Sequence, residues 1–339
     1  MARMRAYELR REGLEHLVAI ERPQPKAGPG EVVVRVRAAS LNYRDWLIAN
    51  GRYGRAPLKL PLVPLSDGAG EVVEVGAQVT RWSPGARVVA CFFRDWIDGP
   101  PDEQKRAAAL GGTTDGVLAE YVALRADALV EVPAGLSFEE AATLPCAGVT
   151  AWVSLVTTGG LTAGETVLAL GTGGVSVFVL QLAKAHGARV ISTSKSDEKL
   201  AHAARLGADH TINYRRTPDW DTRARELTGG RGVDHVVEVG GAETLQRSVR
   251  ALRDGGHLAL VGLLTGERAN PAAAAAEGRG LRIDSIYVGS TANLQSLVDA
   301  VSRFSIHPVI DRSFEFAEAR AAYEYLASAE HFGKIVVRV

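Results

Sequence analysis

The spacing of apolar and polar residues changes twice along the chain. Up to about residue 120 the rhythm is that of short strands. Val32, Val34 and Val36 alternate with Val33, Arg35 and Arg37 after the Pro29-Gly30 turn, which predicts a half-buried strand. Further strands are predicted at 71–75, 87–92 and 118–124, punctuated by Gly76, Pro84-Gly85 and Gly111-Gly112. Short strands so spaced predict a closed or partly closed barrel. From 138 to about 156 the period turns helical, with Thr143, Cys146 and Thr150 one turn apart.

Beyond residue 166, apolar runs alternate with amphipathic segments. Strands are predicted at 167–170, 189–193, 210–212, 234–239, 257–261 and 281–288, and helices at 175–186, 199–206, 219–227 and 242–252. This alternation specifies a doubly wound parallel sheet, an α/β fold. The tail adds helices at 294–304 and about 317–327, then a strand at 334–339. That strand has no place in a completed six-stranded sheet and is expected to return to the β-rich part.

The stretch 166–194 carries the clearest chemistry. A buried strand meets Gly171-Thr172-Gly173-Gly174-Val175-Ser176, a helix follows, and a second strand closes the unit. Gly171 permits the tight turn and Gly173 lets backbone approach a pyrophosphate, while the helix N-terminus offers unpaired N–H groups to that anion. Ser176 replaces the third glycine of the usual fingerprint with another small residue. A dinucleotide ligand is expected. An NAD site asks for an acid at the end of the second strand, but here the chain reads Ser192-Thr193-Ser194-Lys195, with none before Asp197. Hydroxyls and a lysine suit a 2′-phosphate, so NADP(H) is favoured; the alternative is that Lys195 and Lys199 only solvate a helix start.

Composition narrows the class. A length of 339 residues exceeds the usual single core, so two domains are expected. Lys+Arg and Asp+Glu balance at 39 each, which gives no field to draw nucleic acid or an anionic membrane. No long apolar span or targeting motif is read; the alanine run 272–276 is short and lies in a polar stretch. Two cysteines, Cys91 and Cys146, make no disulfide framework, and a reducing, cytoplasmic setting is expected. The eight histidines show no metal spacing, and Ser176 sits in no nucleophile elbow.

Five ordered segments point further: Ala39-Ser-Leu-Asn-Tyr-Arg-Asp45, Asp67-Gly-Ala-Gly-Glu-Val-Val-Glu-Val-Gly76, Leu144-Pro-Cys-Ala-Gly-Val-Thr150, the Gly171 turn, and Phe332-Gly-Lys-Ile-Val-Val337. Together they resemble the medium-chain dehydrogenase/reductase (zinc-type alcohol dehydrogenase-like) family, on its quinone-oxidoreductase-like, zinc-independent branch. The resemblance covers essentially the whole chain. It implies a GroES-like β-barrel catalytic domain, residues 1–124 and 291–339, a Rossmann NADP(H)-binding domain with a six-stranded sheet, residues 125–290, and a cleft between them. It also implies a homodimer through the edge strand of the Rossmann sheet, at 281–288.

The departures from that family shape the expected chemistry. Its zinc enzymes place a cysteine at Asn42, a His-Glu pair at Ser66-Asp67 and a cysteine at Cys146; only Cys146 remains. A catalytic zinc takes three ligands from Cys, His and carboxylate, so no metal is expected. Arg44 stands where the family's proton relay has Ser or Thr. Hydride addition to an activated C=C asks for less than alkoxide chemistry, because neutral donors can hold the delocalised charge. Tyr53 resembles the donor tyrosine of the enoyl-thioester reductases; the alternative is a turn tyrosine packed over a loop. Asn42 is a candidate hydrogen-bond donor, and Trp46, Phe93 and Trp96 are candidates for either a pocket wall or barrel core. The resemblance further implies Thr150 near the nicotinamide, Ser194, Lys199 and Tyr214 around a 2′-phosphate, Val239 and Gly262 along the nicotinamide half, and Lys334 at the cofactor. The expected function is an NADPH-dependent reductase of enones, enoyl compounds or quinones; the alternatives are an alcohol/aldehyde dehydrogenase and a non-catalytic NADPH-binding protein.

Overall fold

The computed structural model describes residues 2–54, 58, 60–262, 264, 270 and 279–339. The alanine run 272–276 lies outside the described residues. The chain forms two compact units, Met1–Val149 with Val288–Val339, and Thr150–Tyr287.

The first unit is β-rich. Its strands are β1 (Arg3–Leu9), β2 (Leu17–Pro23), β3 (Glu31–Leu41), β4 (Asp67–Val75), β5 (Arg87–Ala90), β6 (Tyr121–Arg125) and β7 (Leu129–Glu131), with helix α1 (Tyr43–Ala49) directly after β3. The long β3 organises them. One edge pairs with β4; the other pairs with β6 over Glu31–Arg35, then with the closing strand Lys334–Arg338 over Ala38–Leu41. One strand thus serves three neighbours, and its valines Val32, Val34 and Val36 enter the core, as their alternation predicts.

Several elements differ from expectation. β1, β2 and β7 are additional strands. The 118–124 strand starts only at Tyr121, because the Leu118 carbonyl accepts from Tyr7 N and Ala119 bridges Ala6 of β1. The helical stretch 138–156 is four pieces: α2 (Phe138–Ala142), wider π turns at Leu144–Gly148 and Val153–Thr157, and a short α-turn Val149–Trp152 between them. Pro145 has no N–H for an i→i−4 bond, so a regular ladder cannot run through it. Residues 125–149 and 288–290 belong to the first unit rather than the second, because β7 pairs with β5 and α2 packs on β3 and β4.

The second unit is a parallel sheet of β8 (Thr166–Ala169), β9 (Arg189–Ser194), β10 (His210–Asn213), β11 (Val233–Glu238), β12 (Leu252–Leu260) and β13 (Arg282–Ser285), in the order β10-β9-β8-β11-β12-β13. Helices α3 (Gly174–Ala185), α4 (Asp197–Arg205), α5 (Trp220–Leu227) and α6 (Ala242–Ala251) connect the strands. The chain runs outward from β8 in one direction, then restarts at β11 and runs in the other. The switch point between β8 and β11 is where such sheets open a crevice at the carboxyl ends of their strands.

The amino ends of the same strands are closed by charges. Asp234 accepts from Arg231 (2.7 and 2.8 Å), Arg253 (2.6 Å) and the Thr166 amide (2.8 Å), bonds that hold its carboxyl well below the usual range against the opposing effect of burial. Beside it, Glu165, His235, His257 and Asp284 form a chain with contacts of 3.0, 3.3 and 3.1 Å. The register that sets His235 opposite His257 brings these two residues together.

The tail completes the first unit with helices α7 (Thr291–Phe304) and α8 (Ala319–Ser328), strand β14 (Ile310–Glu315) and strand β15 (Lys334–Arg338). β15 lies between β14 and β3, so the last strand returns to the β-rich part as expected, while β14 is an addition.

Candidate functional site

In the second unit, a cavity of about 520 Å³ opens at the carboxyl ends of the strands. Gly171 from β8, Thr193 from β9, Tyr214 after β10, Val239 after β11, and Trp220 and Arg247 from the helices line it. It straddles the switch point. Gly171 has φ of +76°, a conformation that favours glycine, and its N–H donates to Thr193 Oγ1 (3.1 Å). Gly173 is the N-cap of α3, and a Cβ built there meets no atom within 4 Å. The helix start is therefore an open cradle of backbone N–H groups, of the kind that binds anions. Gly174 and Val175 open the helix. Ser176 is buried and donates back to the Leu170 carbonyl (2.6 Å), so its hydroxyl braces the turn.

Of the expected cofactor contacts, Gly171, Tyr214 and Val239 line this cavity; Gly173, Gly174, Val175, Ser176, Ser194, Lys199 and Gly262 do not. Ser194 Oγ accepts from Ser196 N (3.2 Å), and Ser196 in turn caps α4 through Lys199 N (3.3 Å). Gly262 has a packing reason: a Cβ there would lie 2.0 Å from the Val239 carbonyl carbon. Thr150 is buried in the short α-turn at the start of the unit. Asp197, the first acid after β9, is engaged by Asn213 Nδ2 (2.6 Å) and by an ion pair with Arg216. Sequence reasoning missed Trp220 and Arg247, which sit at a helix start and on a helix with no turn motif to mark them. It also missed Glu238: buried at the end of β11, this carboxylate accepts from Gly240 N, Gly241 N, Thr244 and Ser248, and so fastens the β11–α6 turn.

The first unit holds a second polar centre of four charged side chains, Arg44, Asp45, Asp67 and Lys334, each under a tenth exposed. Strand register builds it. Leu41 pairs with Ile335 and Ser40 with Asp67, so Asn42 and Lys334 become neighbours just past the paired positions. Lys334 Nζ donates to the Leu41 carbonyl (2.6 Å) and to Asn42 Oδ1 (2.5 Å). Asn42 Nδ2 is buried without a hydrogen-bond partner. The Asn42 amide donates to Asp45 Oδ2 (2.8 Å), which caps α1, and Asp45 Oδ1 accepts from Arg44 (3.0 Å). Asp67 accepts from Ser66 Oγ (2.6 Å) and from Cys146 N (3.0 Å).

Burial dominates the ionisation here. It pushes the Asp45 carboxyl up to about 6 despite Arg44, raises Asp67 despite Lys334, and lowers the Lys334 ammonium despite Asp67. Burial and the Asp67 charge push the Cys146 thiol up, well away from thiolate. The Arg44 guanidinium lies 5.3 Å from the Tyr53 ring centre and 4.7 Å from that of Phe92, in cation–π contact with both. Phe93 and Trp96 are buried with Phe92 in a small aromatic cluster, against which Cys146 packs, while Trp46 packs on the main core of the unit.

Residues 28–134 match the alcohol dehydrogenase GroES-like domain and residues 174–303 the zinc-binding dehydrogenase domain. A zinc-type alcohol dehydrogenase-like protein of Schizosaccharomyces pombe is 46% identical over 325 residues, covering 94% of this chain and 93% of its own. The acryloyl-coenzyme A reductase of Metallosphaera sedula is 30% identical over 328 residues, covering 92% and 93%. Among solved structures, an NAD-dependent alcohol dehydrogenase superposes with a TM-score of 0.88 at 35% identity, over 99% of this chain and 100% of that one. A mycobacterial protein complexed with NADPH gives 0.82 at 27% identity, over 99% and 100%.

Proposed function

The chain belongs to the zinc-type alcohol dehydrogenase-like, medium-chain dehydrogenase/reductase family of oxidoreductases, and we propose that it is an NADPH-dependent, zinc-independent reductase of activated C=C bonds. The observation that carries this reading is the Asn42–Lys334–Asp67 centre. At the positions where the family's zinc enzymes bind metal it offers an amide held by an ammonium, a hydroxyl already donating to a carboxylate, and a thiol pushed up by burial. Zinc asks for ionised sulfur, imidazole or free carboxylate, and this donor set does not fit it.

The nucleotide cavity fits NADP(H). On this reading Gly173 and the first turn of α3 would take the pyrophosphate, and Tyr214, which lines the cavity, would bound the adenosine side. Three features support the phosphorylated cofactor: the hydroxyls ending β9, the lysines Lys195 and Lys199 beyond them, and an Asp197 already committed to Asn213 and Arg216. When bound, NADPH supplies the hydride. The first unit then has to hold the negative charge that develops on the substrate carbonyl and deliver a proton to the α-carbon. Tyr53 is the proposed proton donor, and Arg44 sets a fixed positive charge against its ring. Asn42 is the second donor; Lys334, by taking its carbonyl oxygen, turns the amide nitrogen away and so acts as a positioning residue. Pairing of two copies along the β13 edge remains the proposed assembly.

The test is oxidation of NADPH and NADH against a quinone, an enone, an enoyl thioester and an aldehyde. Turnover of C=C or quinone acceptors with NADPH, with kcat falling about 100-fold in Tyr53→Phe, is expected. The names of several relatives favour an alcohol or aldehyde substrate instead. Turnover of the aldehyde alone, or near-stoichiometric zinc whose removal abolishes activity, would overturn the proposal.

A further inference from the structure

The outermost strand of the parallel sheet gains little from its own packing. β13 has four residues, Arg282 to Ser285, none of them buried, and lies at the edge beside β12. Two side-chain bonds tie it inward: Arg282 donates to the Gly159 carbonyl (2.8 Å), and the Asp284 carboxylate meets His257 Nε2 (3.1 Å). The second tie continues across the sheet. His257 Nδ1 faces His235 Nδ1 at 3.3 Å, and His235 Nε2 meets Glu165 at 3.0 Å. Both imidazoles are buried, so their ring nitrogens have to be satisfied within this chain of side chains.

The ring nitrogens fix how many protons the chain holds. A carboxylate only accepts, so each Nε2 has to carry a hydrogen. Burial opposes the charge on Glu165, but the Thr162 amide (2.7 Å) and His235 hold its carboxyl below the usual range. Asp284 reaches solvent, where water supports its charge. Two neutral imidazoles would then set two bare Nδ1 lone pairs against each other. A third ring hydrogen removes the conflict, one Nδ1 donating to the other. A second extra proton is refused: burial and His235 hold His257 down to about 4, with Arg282 acting the same way and Asp284 opposing. The other charged groups nearby are already matched. Asp234 is taken by Arg231 and Arg253, Asp254 by Arg279, and Arg250 of α6 by Asp221. Glu243 and Arg247 of α6 line the cavity at the opposite end of the sheet, and the turn Val153–Thr157, which packs on β11, has no titratable side chain. We infer that the His235–His257 pair carries one shared proton and that this proton latches β13 to the sheet, making the edge strand sensitive to rising pH. An unfolded histidine gives up its proton at about pH 6.5. A proton held above that value stabilises the latched strand, and the contribution is lost as pH rises further.

The experiment uses the whole chain. In protein labelled with ¹⁵N-histidine, the pair should show three protonated ring nitrogens and one bare one at pH 7, and two of each once the proton leaves at higher pH. Hydrogen exchange gives the second readout. Protection of the β13 amides, corrected for intrinsic exchange, should fall by up to about tenfold per pH unit across that same step. His257→Gln and Asp284→Asn, which break the chain on either side of one bond, should both lower the protection and abolish its pH step. Two protonated and two bare nitrogens already at pH 7 overturn the inference. So does β13 protection that passes unchanged through the step, or a step that survives in Asp284→Asn. If His257→Gln fails to fold, the proton count in wild type and the exchange of Asp284→Asn still decide.

Discussion

The two ends of the parallel sheet are built on opposite principles. At the amino ends the protein satisfies itself: Asp234 is held by two arginines and an amide, and Glu165, His235, His257 and Asp284 link across three strands. At the carboxyl ends it does not. A Cβ at Gly173 would meet no atom within 4 Å, the Arg247 Nε is buried without a hydrogen-bond partner, and the strands stop around a cavity of about 520 Å³. The same strands feed both ends, so the contrast lies in the side chains. Groups that close on one another contribute stability, and groups left unmatched contribute recognition.

This division can be broken by experiment. The largest effect is expected from Asp234→Ala, which strands Arg231, Arg253 and the Thr166 amide. It should cost about 3 kcal/mol in a denaturant titration, at the low end for a broken buried pair because both arginines reach solvent. NADPH affinity should be unchanged; weaker cofactor binding with intact stability would reverse the assignment of the two ends. Gly173→Ala should do the opposite. Its φ of −81° accepts alanine without strain, so stability should fall by no more than about 1 kcal/mol, the cost of alanine for glycine at an N-cap. The methyl occupies the cradle, and calorimetry should show a loss of about 1–3 kcal/mol in NADPH binding.

A smaller effect comes from pH. Burial and the facing His235 hold His257 below its ordinary value, with Arg282 acting the same way and Asp284 opposing. The unfolded chain therefore takes up this proton first. Stability should fall as pH drops below about 6.5, by at most about 1.4 kcal/mol per pH unit for this one group. Melts of His257→Gln between pH 7 and 5 should show a shallower slope. An unchanged slope would remove His257 from the closure of the amino ends.

The open end was the more legible of the two in sequence. Glycine turns leave a local signature, and Gly171 to Ser176 sit between a buried run and a helix in consecutive residues. The closed end depends on residues that meet through register: His235 and His257 lie on separate strands, and only parallel pairing makes them neighbours. Arg44, Asp45, Asp67 and Lys334 are the same case, joined where β15, β3 and β4 run side by side. Asn42 and Lys334 were readable singly, through resemblance, but the bond between them was not. β14 escaped notice because four of its six residues, IDRSFE, are polar and it is an edge strand with only Phe314 buried. Arg247 was hidden differently, as one arginine among many on the polar side of a helix.

The return of β15 to β3 has a consequence for the order of assembly. The second unit is continuous in the chain, and all but one of its strand pairings join strands consecutive in sequence. The first unit is interrupted by all of it, and the inner edge of β3 waits for a strand from the far side. Closing so long a loop adds little to the equilibrium cost but slows the search. The nucleotide-binding unit should therefore mature early, while β3 stays an unprotected edge open to wrong partners until β15 arrives. Lys334 is the first residue of that late strand, so the chemistry of the first unit is assembled in the last step of folding.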